Sequence, residues 1–264
     1  MTADPELPGW QLDSFTSEGL TRTVYRAGEG PGVVVIHEVP GVTPKVMAFA
    51  QRVVDSGFTV AMPSLFGTPN RAMTMPYALK SMLGGCVSKE FHALALRSTS
   101  PMTQWCRALA ADLHERAGGP GVGAVGMCFT GNFALAMMVD DRMLAPVLSQ
   151  PSLPFPVSKR HKQDLNLSDA DLARVKQRAD AGQCVLGLRF TGDPAVPAAR
   201  FERLRHELGE HFIAVEIDSS KGNQWGFPKG AHSVLTEHLV DEPGNPTQDA
   251  LHQVLDFFAK NLRA

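Results

Sequence analysis

The chain has 264 residues, 44% of them hydrophobic and 20% charged, with a formal net charge of -2. That length allows one or two domains and a core that needs no disulfide staple. The near-neutral charge gives no basic field for nucleic acid, and the one basic cluster, Ser158 to Asp164 (SKRHKQD), is short enough to read as a solvated loop. The N-terminal MTADPELPGWQLD lacks the basic and apolar regions of a signal peptide. No apolar run reaches the ~18 residues of a membrane span. Cys86, Cys106, Cys128 and Cys184 are scattered without a CxxC, which argues against a zinc knuckle or a redox dithiol. Free thiols without an export signal point to the cytoplasm.

In chain order, WQLDSFTSEG and LTRTVYRAGEG predict a pair of short strands around a Ser-Glu-Gly turn. GVVVIHEV (Gly32 to Val39) is a β-branched run suited to a parallel strand buried on both faces, and Pro40-Gly41 ends it. PKVMAFAQRVVDSG carries helical spacing up to Gly57, and FTVAMPSLFG is the next buried strand. Residues 68–102 form a long excursion with two short predicted helices, MPYALKSMLGG and SKEFHALALRS. Excursions of that length often wall active sites. MTQWCRALAADLHERAGG predicts a helix, GVGAVGMCF a strand, GNFALAMMVD a helix and MLAPVLSQP a strand. An insertion over 152–183 follows, with a helix SDADLARVKQRAD capped by Ser168. CVLGLRFTGD, VPAARFERLRHELG and HFIAVEID predict strand, helix, strand, and PTQDALHQVLDFFAKNLRA a closing amphipathic helix. This βα alternation shows no break in composition. It predicts one α/β domain over 1–264, a mostly parallel sheet with helices on both faces, and ligands at the C-terminal strand ends.

Reactive side chains fall at those strand ends. Cys128 stands in GMCFTG between a strand and a helix, the nucleophile-elbow pattern with cysteine in place of serine. Such a sharp turn needs small residues two before and two after the nucleophile; Gly126 fits well and Thr130 less well. The turn places the sulfur at a helix start, where thiolate is favoured, and aims the N–H of Phe129 at a developing oxyanion. An acid and a histidine follow in the expected order: Asp193 in FTGDPAVP and His232 in GAHSVL. Taken singly, each has an ordinary alternative: a core cysteine, a turn aspartate, a surface histidine. Glu38 ends the buried central strand, where a carboxylate is costly unless it is paired or used.

HEVPGV, TVAMPSLFG, GVGAVGMCFTGNFAL, FTGDPAVP and GAHS run in the order found in the dienelactone hydrolase family, which the chain resembles from about residue 32 to 233. The resemblance implies the α/β-hydrolase fold and hydrolysis of a small ester or lactone through a thioacyl enzyme, without metal or organic cofactor. It implies Cys128 as nucleophile, His232 as base and acid, Asp193 as its orienting group, and Glu38 as the glutamate that pairs with the thiol and accepts its proton when substrate binds. The backbone N–H groups of Phe129 and Val39 would form the oxyanion hole. Dienelactone-cleaving members hold the substrate carboxylate with two arginines. At one of those positions this chain has Thr236, after Val234 and Leu235; the other would come from the excursion, where Lys80, Lys89 and Arg97 are candidates. Trp225, Phe227 and the excursion are expected to line the pocket, with Lys229 or Arg97 able to supply a cation from another side. The expected partner is a small-molecule substrate, with no nucleic acid and no membrane, on a monomer or homodimer. A non-catalytic ligand-binding relative is the alternative; a one-cysteine redox protein is disfavoured because no resolving cysteine lies near Cys128 in sequence.

Overall fold

The computed structural model describes residues 4–263, with the side chains of 85–87, Cys86 among them, outside the described set. Strands β1 (Gln11–Ser17) and β2 (Leu20–Ala27) form a hairpin through Glu18 and Gly19, both at positive φ. Two left-handed residues in a two-residue loop match the twist of an antiparallel pair. The remaining strands are β3 (Gly32–Ile36), β4 (Thr59–Pro63), β5 (Val122–Met127), β6 (Met143–Ser149), β7 (Val185–Phe190) and β8 (Phe212–Ile217). All eight join one sheet in the order β1-β2-β4-β3-β5-β6-β7-β8, parallel from β4 to β8.

The strand period of two splits the core into two layers. Val34 and Ile36 of β3 and Ala124 of β5 pack with Trp105, Leu109, Phe133, Val175 and Phe201. Their neighbours Val33, Val35 and Val125 face the other way, against Val46, Phe49, Val53, Leu251, Val254 and Phe258. The first layer is supplied by α3 (Pro101–Ala117), α4 (Gly131–Met137), α6 (Asp169–Asp180) and α7 (Ala198–Leu208), the second by α1 (Pro44–Asp55) and α8 (Pro246–Leu262). Local rules set the helix starts. Thr43, Ser100, Ser168 and Asn245 each accept a backbone N–H at an N-cap, and a proline follows Thr43, Ser100 and Asn245.

The excursion holds one helix, α2 (Met75–Val87). The helix expected over SKEFHALALRS is absent: His92 and Arg97 are at positive φ, and Phe91 and Ala93 are buried in the first core layer. Burying those two side chains outweighed local helix propensity. The insertion folds as α5 (Lys159–Gln163) and α6, packed on α7 and α4. None of the described helices is long and apolar enough to cross a membrane.

Candidate active site

Three loops at the carboxyl end of the sheet bring the site together. β5 ends at Met127, and Cys128 follows at φ +54 before a 3-10 turn (Cys128–Thr130) leads into α4. A left-handed cysteine is a strained conformation that persists only where the surroundings impose it. Here they do: a Cβ on Gly126 would lie 2.2 Å from the Thr130 carbonyl oxygen, and one on Gly131 would lie 2.4 Å from Cα of Pro151. The chain therefore packs backbone on backbone at both glycines. Thr130, the poorer fit by sequence, is fully buried. Its hydroxyl accepts from the N–H of Met127 and lies 3.1 Å from the carbonyls of Ile36 and His37. It joins the elbow to the end of β3.

His232 lies in the loop between β8 and α8, and its Nδ1 is 2.6 Å from Oδ2 of Asp193, three residues past β7. Asp193 is buried, and its Oδ1 accepts from the N–H of Ala195 at 2.9 Å. With Nδ1 so held, Nε2 is the nitrogen left for the sulfur. Burial opposes a charge on His232, but the negative charge of Cys128 and the bond to Asp193 more than offset it. The imidazole is held well above the ordinary histidine range. His238, not foreseen from sequence, accepts at Nδ1 from the N–H groups of His232 and Ser233 and so fixes their loop. Accepting there keeps it neutral, and burial followed by the nearby His232 charge lowers its proton affinity.

Glu38 is buried under the same loops. A carboxylate oxygen of Glu38, Sγ of Cys128 and a ring nitrogen of His232 all lie within 4.8 Å of one another. This trio is also the one set of His, Cys, Asp and Glu atoms among the described residues with a spacing that could hold a metal. The carboxylate is committed elsewhere: Ser233 donates to Oε2 at 2.6 Å, Gln150 donates to Oε2 at 3.2 Å, and Thr236 donates to Oε1. Burial raises the proton affinity of Glu38, and those three donors with His232 reverse only part of the rise. Just before it, His37 is wholly buried, accepts at Nε2 from the N–H of Leu65 at 3.0 Å, and turns Nδ1 to the Glu38 carbonyl at 2.9 Å. Burial depresses its pKa to about 4, so it is a neutral strut.

Parallel pairing of β3 and β5 aligns Ile36 with Gly126. Val39 and Phe129 therefore each stand three residues beyond paired positions, in the loops that leave the same end of the sheet. The Phe129 ring meets Phe66, Phe91 and Phe155 at 5.7, 5.3 and 6.0 Å, and Phe66, Phe155 and Val39 are only partly buried. The wall beside Cys128 is thus phenyl and aliphatic.

Phe227 and Trp225, expected at the pocket, have other surroundings. Phe227 packs on Phe190 at 5.0 Å in the second core layer, because Asn223 folds its loop back with bonds to both the N–H and the carbonyl of Phe227. Trp225 lines a surface cleft with Asp218, Asn223, Pro246 and Asp249, beyond the end of β8. Lys229 borders a shallow cleft with Thr191, Gly192 and Lys221. Arg97 is exposed and pairs with Asp169 at 3.6 Å, and Lys80 and Lys89 are exposed on and just after α2. Among the described residues none of these four cations bonds to Cys128, His232 or Glu38. Sequence reasoning also missed Gln150, Ser152 and Ser233. Their signal was position: polar residues directly past β6 and beside His232.

The dienelactone hydrolase family model matches residues 19–262. A Saccharomyces cerevisiae protein described as "Putative carboxymethylenebutenolidase" is 25% identical over 213 residues, covering 76% of this chain and 74% of its own. A dienelactone hydrolase-like promiscuous phosphotriesterase from metagenomic libraries superimposes with a TM-score of 0.65 at 16% identity, over 96% of this chain and 98% of that one. Dienelactone hydrolase from Anabaena variabilis gives a TM-score of 0.60 at 15% identity, over 97% of this chain and 100% of that one. The chain therefore has the α/β-hydrolase fold and belongs to the dienelactone hydrolase family of carboxylic ester hydrolases.

Proposed function

We propose that this protein cleaves a small, uncharged ester or lactone through a thioacyl intermediate on Cys128. The observation that carries the reading is the assembled Cys128–His232–Asp193 cluster, with the cysteine at positive φ on a glycine-bounded elbow. The thiol proton passes to His232 Nε2 and the sulfur attacks the carbonyl carbon. The carbonyl oxygen gains the negative charge and is met by the N–H groups of Val39 and Phe129. Collapse breaks the ester C–O bond, and His232 returns its proton to the leaving alkoxide. His232, neutral again, takes a proton from water; the hydroxide adds to the thioester, the C–S bond breaks with its electron pair going to sulfur, and His232 returns the proton to the thiolate as the acid leaves. Asp193 holds the imidazole in the tautomer both steps need.

Neutral substrates are favoured because Thr236 is spent on Glu38 and, among the described residues, none of the four candidate cations bonds to the cluster. The partly exposed Phe66 and Phe155 suit an apolar acyl or alkoxy group. Mass spectrometry after mixing with a panel of activated neutral esters tests the mechanism. A single acyl adduct mapped to Cys128, absent in Cys128→Ala, is expected. Adducts elsewhere, or undiminished turnover by Cys128→Ala, would refute it.

A further inference from the structure

We propose that Ser152, in the loop after β6, is a further catalytic residue, whose hydroxyl donates a hydrogen bond to the Cys128 sulfur and holds it as an oriented thiolate. This rests on Cys128 being the nucleophile. Ser152 Oγ lies 3.5 Å from Sγ and is buried. Buried hydroxyls are bonded as a rule, and among the described residues the sulfur is its one partner. A serine hydroxyl has one hydrogen to give, and against a thiolate it can only donate.

The loop is built to keep that hydroxyl in place. The N–H of Ser152 donates to the Cys128 carbonyl at 2.9 Å, so backbone and side chain grip the same residue. Asn132 at the start of α4 donates to the Leu153 carbonyl at 2.6 Å. Arg200, wholly buried in α7, donates to the carbonyls of Pro151 at 2.7 Å and Pro154 at 2.6 Å, on either side of Ser152. A charged side chain spent on backbone carbonyls, without a carboxylate bond, is costly to bury unless the geometry it fixes matters.

A thiolate needs a donor, and the ionised Glu38 carboxylate can only accept, as it does from Ser233, Gln150 and Thr236. Around the sulfur the titratable groups are His232 and Glu38, with Asp193, His238, His37 and Arg200 one layer out. Ser152 adds a neutral donor to this set. It keeps its own proton throughout, while the thiol proton goes to His232. The hydrogen bond favours thiolate over thiol, and it weakens as the sulfur lone pair becomes the C–S bond.

The test is a pH titration of Cys128 alkylation by iodoacetamide, together with thiolate absorbance, in wild type, Ser152→Ala and Ser152→Thr. Losing the donor in Ser152→Ala is expected to move the thiolate midpoint up by about one pH unit, a tenfold smaller thiolate fraction below it. The acid limb of kcat/KM should move with it, and Ser152→Thr, which keeps a hydroxyl, should restore the midpoint. A folded Ser152→Ala with an unmoved midpoint, or a Ser152→Thr that behaves like Ser152→Ala, would overturn the proposal. Alkylation reads the thiol without turnover. A shifted midpoint with no acyl adduct on Cys128 would therefore sink the nucleophile assignment, and an adduct with an unmoved midpoint would sink the role of Ser152.

Discussion

Replacing Asp193 by asparagine exchanges one carboxylate oxygen for an amide nitrogen at a site solvent cannot repair. Asp193 is 4% exposed, its Oδ2 lies 2.6 Å from His232 Nδ1, and its Oδ1 is already engaged by the N–H of Ala195. An asparagine has one acceptor oxygen for these two donors. If the oxygen stays on Ala195, the amide NH2 faces Nδ1 and forces the tautomer with hydrogen on Nε2, where the sulfur needs a base. If the oxygen turns to His232, two N–H groups oppose each other at Ala195. Loss of one hydrogen bond to a charged group, about 1.5–3 kcal/mol, sets a floor of roughly 10- to 100-fold in kcat/KM, and the wrong tautomer adds to it. The pH dependence has a definite sign. His232 is raised above its ordinary value, so its stabilising contribution is fully present below about pH 6.5 and is lost as pH rises through the folded value. Asp193→Asn removes part of that rise. Its stability deficit should be largest on the acid side and should shrink as pH rises, and the alkaline limb of kcat/KM for acylation should move to lower pH. Measuring kcat/KM on a neutral activated ester across pH, with Tm at the two ends, checks both. Activity within about threefold of wild type, or a deficit that grows with pH, would refute the assignment of Asp193.

Brief iodoacetamide labelling with peptide mapping should modify Cys128 before Cys106, whose thiol is fully buried and pushed up to about 12 by burial, and before Cys184, whose sulfur bonds among the described residues only to the Gly182 carbonyl; equal rates would count against an activated thiol. Dienelactone should be a poor substrate beside a neutral ester of similar size, by about ten- to a hundred-fold in kcat/KM for one missing charge-assisted contact. Efficient dienelactone turnover lost in Lys229→Ala or Arg97→Ala would reverse that and locate the cation. Gly126→Ala should cost about 1–3 kcal/mol, lowering Tm by several degrees, because its Cβ would collide with the Thr130 carbonyl; an unchanged Tm would show that the elbow is looser than its backbone contacts imply.

The strand order of reactive residues was legible because strands and helices announce themselves locally. GVVVI and VGAVGM are buried on both faces, and runs of that kind carry their own apolar signal. Caps, prolines and glycines punctuated them, so Glu38, Cys128, Asp193 and His232 could be placed at strand ends before any geometry was known. What those ends do to one another was not legible. Glu38 was expected beside the thiol, and one of its oxygens does lie within 4.8 Å of the Cys128 sulfur, but it is bonded to Ser233, Thr236 and Gln150, which come from two other loops 112 to 198 residues away in sequence. Thr236 reads as a missing arginine in sequence and as a ligand of Glu38 in space. Trp225 and Phe227 look alike as aromatic pocket residues, but the bonds of Asn223 turn one into the core and leave the other at the surface. The SKEFHALALRS stretch has helical composition and becomes turns, in which Phe91 packs on Phe66, Phe129 and Phe133. By itself the sequence determined the layers, the elbow and the order of reactive groups, since propensity and periodicity act over a few residues. Only the tertiary structure decided the partners of each group. Those partners depend on parallel strand register and loop paths, where contacts between distant segments outweigh local preference.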